Sequence, residues 1–352
     1  MDIVRLCQMR IRVPEQWWGD YLATLGAARV AEREILKLGV EYGWDRFHAL
    51  ERAWFDYSEA RMIAAIRKLP AGTATAENTH DPFPGTPAEG VRIKAIVSVD
   101  PEAARIIVDL RDNPDNMPCG LNLTEGTATS GALCGIFDSI GPGVPANAGS
   151  YRRIEVRLRE GCIVGIPRHP TSCSVATTNL ADRLVNAVQR AFGTLGAGVG
   201  MADASGSSLP PSCGVVSGFD PRADGAAFIN VVILGAGGGP GAPGTDGWLT
   251  IACMGNAGMP FYDSVELDEL HCPLIVHARR LRRDSEGAGM FRGAPGAEIE
   301  YGPVDCAVEV GFACDGVVNR RKAFAAEVPA RWPRPFFAAP RGNASPCRGR
   351  HT

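Results

Sequence analysis

The chain has 352 residues, and 36 Lys plus Arg against 39 Asp plus Glu give a net charge of −3, so no general field recruits nucleic acid or an anionic membrane. Glycine (42) and proline (26) are both abundant, yet together they stay below the roughly 25–30% of low-complexity chains, and a loop-rich folded protein is predicted. No run approaches the roughly 18 apolar residues of a membrane span, and the start lacks a basic region followed by a long apolar one, which predicts a soluble, cytoplasmic protein.

From Val13 to Leu69 the apolar period is helical. Trp18, Leu22, Leu25 and Ile35 recur at helical spacing, and after Tyr42-Gly43 so do Phe47, Leu50, Trp54 and Tyr57. Two amphipathic helices, paired antiparallel, are expected, and Leu69-Pro70-Ala71-Gly72 ends the second. Beyond it the period changes to two. Val91, Ile93, Ala95, Val97 and Val99 form one strand, Ile106 to Leu110 its return partner, and Ile154, Val156 and Leu158 a half-buried strand with Cys162 to Ile166 following. The clearest helix runs from about Asn179 to Leu195, with Leu180, Leu184, Ala187, Val188, Ala191 and Leu195 in one stripe and Thr178 or Asn179 as its cap.

Short strands separated by glycine turns fill the rest: a buried one from Phe228 to Leu234, then Ser264 to Leu270, Leu274 to Arg280, Glu298 to Tyr301 and Cys306 to Phe312. After about Asn319 the pattern dissolves into Ala, Pro and Arg without a period, as in a poorly packed tail. The fold class that follows is α+β: a helical segment at 13–69, a strand-rich, glycine-turn-rich region with one well-formed amphipathic helix at 70–319, and an irregular tail at 320–352.

Eleven cysteines cannot all pair within one chain, none forms Cys-x-x-Cys, and the six histidines are scattered. Reduced, mostly buried thiols are expected, and no metal site. Gly235-Ala236-Gly237-Gly238-Gly239-Pro240-Gly241 lacks the Gly-Lys-Ser/Thr ending of a Walker loop and no helical pattern follows, so it reads as a structural turn and not a phosphate cradle. Gly287 to Gly293 also fails the dinucleotide spacing.

Arg168 to Asn179 is the most informative stretch. Thr171, Ser172, Cys173, Ser174, Thr177 and Thr178 lie with Asn179 between a strand and the start of the best helix. There, backbone amides and the helix dipole favour a carboxylate, a phosphate or a developing oxyanion. The alternative is a polar turn that only caps the helix. Cys173 with His169 as base is a further, weaker reading, since geometry cannot be read from spacing in a loop. Asp182 and Arg183 read as dipole and surface charges.

These residues resemble the hydantoinase B/oxoprolinase family. The stretches that carry the resemblance are Val13 to Gln16 with Gly19-Asp20, Asp56 to Glu59 with Arg61-Met62, Val144 to Arg152, Pro170 to Asn179, Asp246-Gly247-Trp248, Asp263 to Glu266, and Asp284 to Gly293, in order along the chain. The resemblance implies the B-type component of an ATP-dependent amidohydrolase that opens a hydantoin, 5-oxoproline or related lactam. A hydantoinase A-type partner subunit would bind ATP and Mg and phosphorylate the amide oxygen. It also implies, as alternatives, a subunit of an acetone or acetophenone carboxylase, or a truncated, non-catalytic paralogue.

Full-length family members look longer at the N-terminus, with a region of Asn-Asp-Pro-Tyr-like and His-rich motifs that is implied to hold a divalent metal, and nothing of the sort precedes Val13. The resemblance leaves open a fragment, a naturally split subunit whose missing region a separate chain supplies, or a degenerate copy. On this reading the chain is the C-terminal part of a B-type subunit, inactive alone, binding no cofactor itself, with exposed apolar faces around Trp17, Trp18 and Trp54 that seek an interface. Its small-molecule substrate would meet Thr171, Ser172, Cys173, Ser174, Thr177 and Asn179, with Asn147 beside them. Catalytic residues are not identifiable from the sequence.

Overall fold

The computed structural model describes residues 2–11, 13–177, 179–196, 198–203, 213–233, 238–249, 264–311 and 315–319. Three helices open it: α1 (Asp2–Arg10), α2 (Pro14–Tyr42) and α3 (Trp44–Ile66). Proline at the first position of α2 has no amide to leave unpaired, and Gly43, at φ +79°, ends the helix by donating its N–H to Gly39 O. The Trp44 ring lies so close over Gly39 that a Cβ there would sit 2.3 Å from it.

That corner corrects the expected antiparallel pair. Gly39 is the single buried residue of α2, and its stripe of Tyr21, Leu22, Leu25, Ile35 and Leu36 stays exposed. Helix α3 instead turns Ser58, Met62 and Ile66 into the body at four-residue steps, while Leu50, Trp54 and Tyr57 face out.

A four-stranded sheet follows, in the order β1-β2-β3-β4, built from β1 (Gly72–His80), β2 (Val91–Asp100), β3 (Arg105–Asp109) and β4 (Ile154–Arg157). The first three strands are antiparallel neighbours and β4 runs parallel to β3. On β2 the alternation is as expected, with Val91, Ile93, Ala95, Val97 and Val99 all buried. The run Cys162 to Ile166 is buried, or nearly so, but forms a turn closed by Gly161 N–H donating to Ile166 O (2.8 Å).

Helix α6 (Leu180–Leu195) lies on this sheet, and its predicted stripe from Leu180 to Ala191 is fully buried. Beside it packs α4 (Glu125–Ser139), capped by Thr124, whose Oγ1 accepts from Thr127 N. The two helices approach closely because Gly131 and Gly135 carry no side chain: a Cβ on Gly135 would fall 2.6 Å from Val188 Cβ. A short helix, α5 (Ala148–Tyr151), precedes β4.

The remaining elements form a second, smaller core of Val216, Val232, Cys272, Leu274 and Ile299. An antiparallel sheet of order β6-β5-β9 is made by β5 (Cys213–Asp220), β6 (Ala226–Ile233) and β9 (Val308–Gly311), and β7 (Leu274–Leu281) pairs with β8 (Ala297–Pro303). The strand expected at 264–270 is instead a helix, α7 (Val265–His271), because Ser264 caps it with Oγ accepting from Leu267 N. Side chains alternate between the faces of β6, and one face meets the small core, so Val232 is buried while Val231 faces out, and the fully buried strand expected there is corrected to a half-buried one.

The molecule is therefore α+β. Among the described residues no helix is long and apolar enough to cross a membrane. Thr178, Leu234, Gly235 to Gly237, Asp263, Phe312 and the tail at 320–352 lie outside the described residues.

Candidate functional site

The loop between the β4 side of the sheet and α6 rests on the segment 116–122. Asn122 donates from Nδ2 to Met117 O, Cys119 O and Ser172 O, and Val175 N–H donates to Gly120 O (3.0 Å). Thr171 N–H closes a turn onto Arg168 O (2.9 Å). On this frame Ser172, Ser174 and Thr177 are exposed and the Ser172 and Ser174 hydroxyls lie 3.3 Å apart. Thr171 and Cys173 are half-buried, and Asn179 is buried. The structure thus gathers a rim of hydroxyls at the head of α6.

The head itself is built differently from the expected cap. Asn179 stands at the N-cap position but makes no side-chain cap bond; its Nδ2 faces His80 Nε2 at 3.4 Å. His80 Nδ1 bonds Asp81 O at 2.7 Å. A carbonyl only accepts, so this pairing puts the ring proton on Nδ1 and leaves Nε2 to accept from Asn179. Burial pushes the His80 pKa down, which favours this neutral ring.

Asp182 and Arg183, read from sequence as surface charges, are both buried. Arg183 is 0% exposed and grips Asp315 with Nε and Nη2 at 2.5 and 2.8 Å, while Nη1 donates to Asn78 Oδ1 (2.7 Å) and Nη2 to Asn319 O (2.9 Å). Next to this fork the Asp81 carboxylate accepts the backbone N–H groups of Val317, Val318 and Asn319. The reason sequence reading missed this hub is distance: its carboxylates belong to segments more than 130 positions away from their partners. Nothing local set Arg183 apart, because the same helix carries Asp182, Asn186, Gln189 and Arg190.

Asn147 has other duties. It caps α5, accepting from Gly149 N (2.9 Å), and donates from Nδ2 to Ser58 Oγ on α3 (2.8 Å). A Cβ on Gly149 would lie 2.1 Å from Phe55 O, and Arg152 pairs with both Asp56 and Glu59. The Arg152 hydrogen bond holds the Glu59 carboxyl below its usual pKa. Two stretches that carry the resemblance, 56–59 and 144–152, are thus the two sides of one joint between α3 and α5. Asn147 is held in that joint by α3, and the hydroxyl rim is held by segment 116–122.

Other resemblance stretches are a backbone seam. Gly247 N–H donates to Arg292 O (2.7 Å) and Ala294 N–H to Gly239 O (2.9 Å). A Cβ on Gly238 or Gly247 would sit 2.0 or 2.1 Å from a carbonyl oxygen. The described part of the glycine loop is therefore filled by the chain's own backbone.

Cys173 shows no activation. Burial alone pushes its thiol pKa up, whereas a nucleophilic cysteine needs a cation or a base to bring it down. We expect Cys173 to react with iodoacetamide more slowly at pH 7.5 than free cysteine, by mass spectrometry; faster labelling would restore the nucleophile reading. The described cysteines are free thiols. Among the described residues, no three His, Cys, Asp or Glu side chains converge to hold a metal ion.

Comparison with known proteins places this geometry. The chain is 28% identical over 324 residues to the caprolactamase subunit beta of Pseudomonas jessenii, covering 88% of this chain and 52% of that protein. The crystal structure of the ATP-dependent caprolactamase from the same organism superposes with a TM-score of 0.72 at 26% identity, over 86% of this chain and 51% of that one. The nucleotide-free structure of acetone carboxylase matches in fold, with a TM-score of 0.73 at 16% identity over 89% of this chain and 43% of that one. The chain thus spans about half the length of the relatives it matches. A family model described as hydantoinase B/oxoprolinase matches residues 1–325, and the chain belongs to that family.

Proposed function

We propose that this chain is part of the B-type component of an ATP-dependent amidohydrolase acting on a cyclic amide. The observation that supports this reading best is the likeness to the caprolactamase subunit beta in both sequence and fold. A relative of that activity works on an unactivated lactam, and an amide of that kind becomes open to water once its oxygen carries a good leaving group. ATP and Mg belong, on this reading, to an A-type partner subunit. This chain contributes a wall: Ser172, Ser174 and Thr177 offer O–H donors, and Thr171 and Cys173 line the shelf below them. A developing oxyanion at the rim would be stabilised by such donors. Asn179 supports the head of α6 through His80, whereas Asn147 holds the α3–α5 joint.

A partner polypeptide also has a place to sit. The exposed apolar side chains of α2 and α3 form a long unshielded face, and faces of that kind mark interfaces. We assign it to the chain or segment that supplies the other half of the B-type component, where a divalent metal would be held.

The second reading, a carboxylase subunit, is favoured by the fold match to acetone carboxylase. Reconstitution separates the two. With the A-type partner and the remaining B-type half present, ATP turnover is expected with ε-caprolactam, a hydantoin or 5-oxoproline. Turnover that ignores lactams and requires bicarbonate with a ketone would replace the first reading by the second.

A further inference from the structure

The seam between α4 and α6 carries a group of polar side chains that the hydroxyl rim does not use. Gln189 is fully buried. Its Nε2 donates to Asp138 Oδ2 (2.8 Å) and lies 3.8 Å from Met201 Sδ. The carboxylate fixes the amide's orientation, since only the NH₂ end can face it. That leaves Gln189 Oε1 as a buried acceptor, and among the described residues no hydrogen-bond partner reaches it. A buried acceptor without a donor is unfavourable, and such atoms call for an explanation.

The surroundings are negative. Asp182 lies seven residues before Gln189, on the same face of α6 and about 10 Å along it. After burial, Asp138 and Asp182 are the two carboxylates that raise the pKa of Cys134, so both fields reach the same point of the seam. The arginines of α6 turn elsewhere: Arg183 to Asp315, and Arg190 to Glu77 O and Asp203. Asp138 and Cys134 are only half-buried, so the seam is reached from one side. Among the described residues no cation faces Asp138 or Gln189 Oε1, and the fitting complement is a cation that donates hydrogen bonds.

We propose that the α4–α6 seam binds a primary ammonium group, with one N–H to Gln189 Oε1 and another to the Asp138 carboxylate. A metal ion fits less well, because no three ligating side chains converge among the described residues. An ammonium needs only one oxygen per N–H. The raised Asp138 pKa agrees with a carboxylate that lacks a counter-ion. Under the function proposed above, such a group has a source, because hydrolysis of a cyclic amide frees a primary amine; only that link rests on the earlier reading.

The test uses the full chain, n-butylammonium chloride as probe and tetramethylammonium chloride as the control of equal charge without N–H groups, at constant ionic strength. The readout is the ¹³C shift of the Asp138 carboxyl. A saturable change with n-butylammonium is expected, at least tenfold weaker with tetramethylammonium and at least tenfold weaker in Gln189→Leu. In Asp138→Asn, calorimetric titration should show the same loss. An unresponsive wild-type chain, an equal response to tetramethylammonium, or undiminished binding in either variant overturns the proposal. No step requires ATP or a lactam, so failure here leaves the amidohydrolase reading standing, and failed lactam turnover leaves this one standing.

Discussion

Arg183→Met is expected to lower the free energy of unfolding by about 3–5 kcal/mol, the usual cost of stripping one partner from a buried ion pair. Asp315 would keep the N–H groups of Asp81 and Gly316 but lose a guanidinium that binds it through two nitrogens. Methionine fills much of the same space, so the loss is electrostatic more than steric. Adding Asp315→Asn removes the stranded charge and keeps an oxygen for both amides. The double variant is therefore expected to unfold at a higher urea concentration than Arg183→Met alone. If the two losses simply add, the ion pair is not what holds the hub.

The second large effect depends on pH. Burial pushes the Asp138 pKa up to about 6, against the lowering effect of the Gln189 hydrogen bond. In the unfolded chain an aspartate titrates near 3.9. Between those values the folded state binds more protons than the unfolded one, so stability falls as pH rises through roughly 4 to 6. The full penalty, about 2–3 kcal/mol, is present above that window and absent below it. Asp138→Asn keeps an oxygen for Gln189 Nε2 and cannot ionise. We expect the variant to be more stable than wild type at pH 8 by up to this amount, with the advantage gone at pH 3.5. A difference that stays constant from pH 3.5 to 8 would show that Asp138 ionisation does not govern the seam.

Where burial follows one period, the sequence was readable. The stripe of α6 and the alternation of β2 are buried as expected because each is a local pattern facing one core. Helix α4 was illegible for the opposite reason. Its Gly131 and Gly135 lower intrinsic helicity, and only the close approach of α6 gives those glycines a use. Strand β1 is rich in Thr and Ala and carries Glu77 and Asn78, so its apolar signal is weak; its pairing with β2 from Val91 to Val99 defines it.

The hydroxyl-rich loop was visible in the sequence as a unit between sheet and helix, and its frame was not. Nothing local says that Asn122 holds Ser172 or that Asn179 faces His80. Charge gave the wrong impression at Asp182 and Arg183, where helical position suggests solvent and tertiary structure supplies burial. Motif matching, in turn, found residues that matter without saying why. Asn147 and Gly149 earn their place at a helix joint, and Gly247 at a seam where two backbones touch.

The Arg183 hub also sets an order of events during synthesis. At about 5–20 residues per second, the ribosome adds the 132 residues between Arg183 and Asp315 in about 7–26 s. For that interval Arg183 lacks Asp315, and the amides of Val317, Val318 and Asn319 that surround Asp81 do not yet exist. Arg183 and Asp81 therefore stay without these partners until then, and translation pauses placed before Asp315 would lengthen the time a chaperone has to intervene.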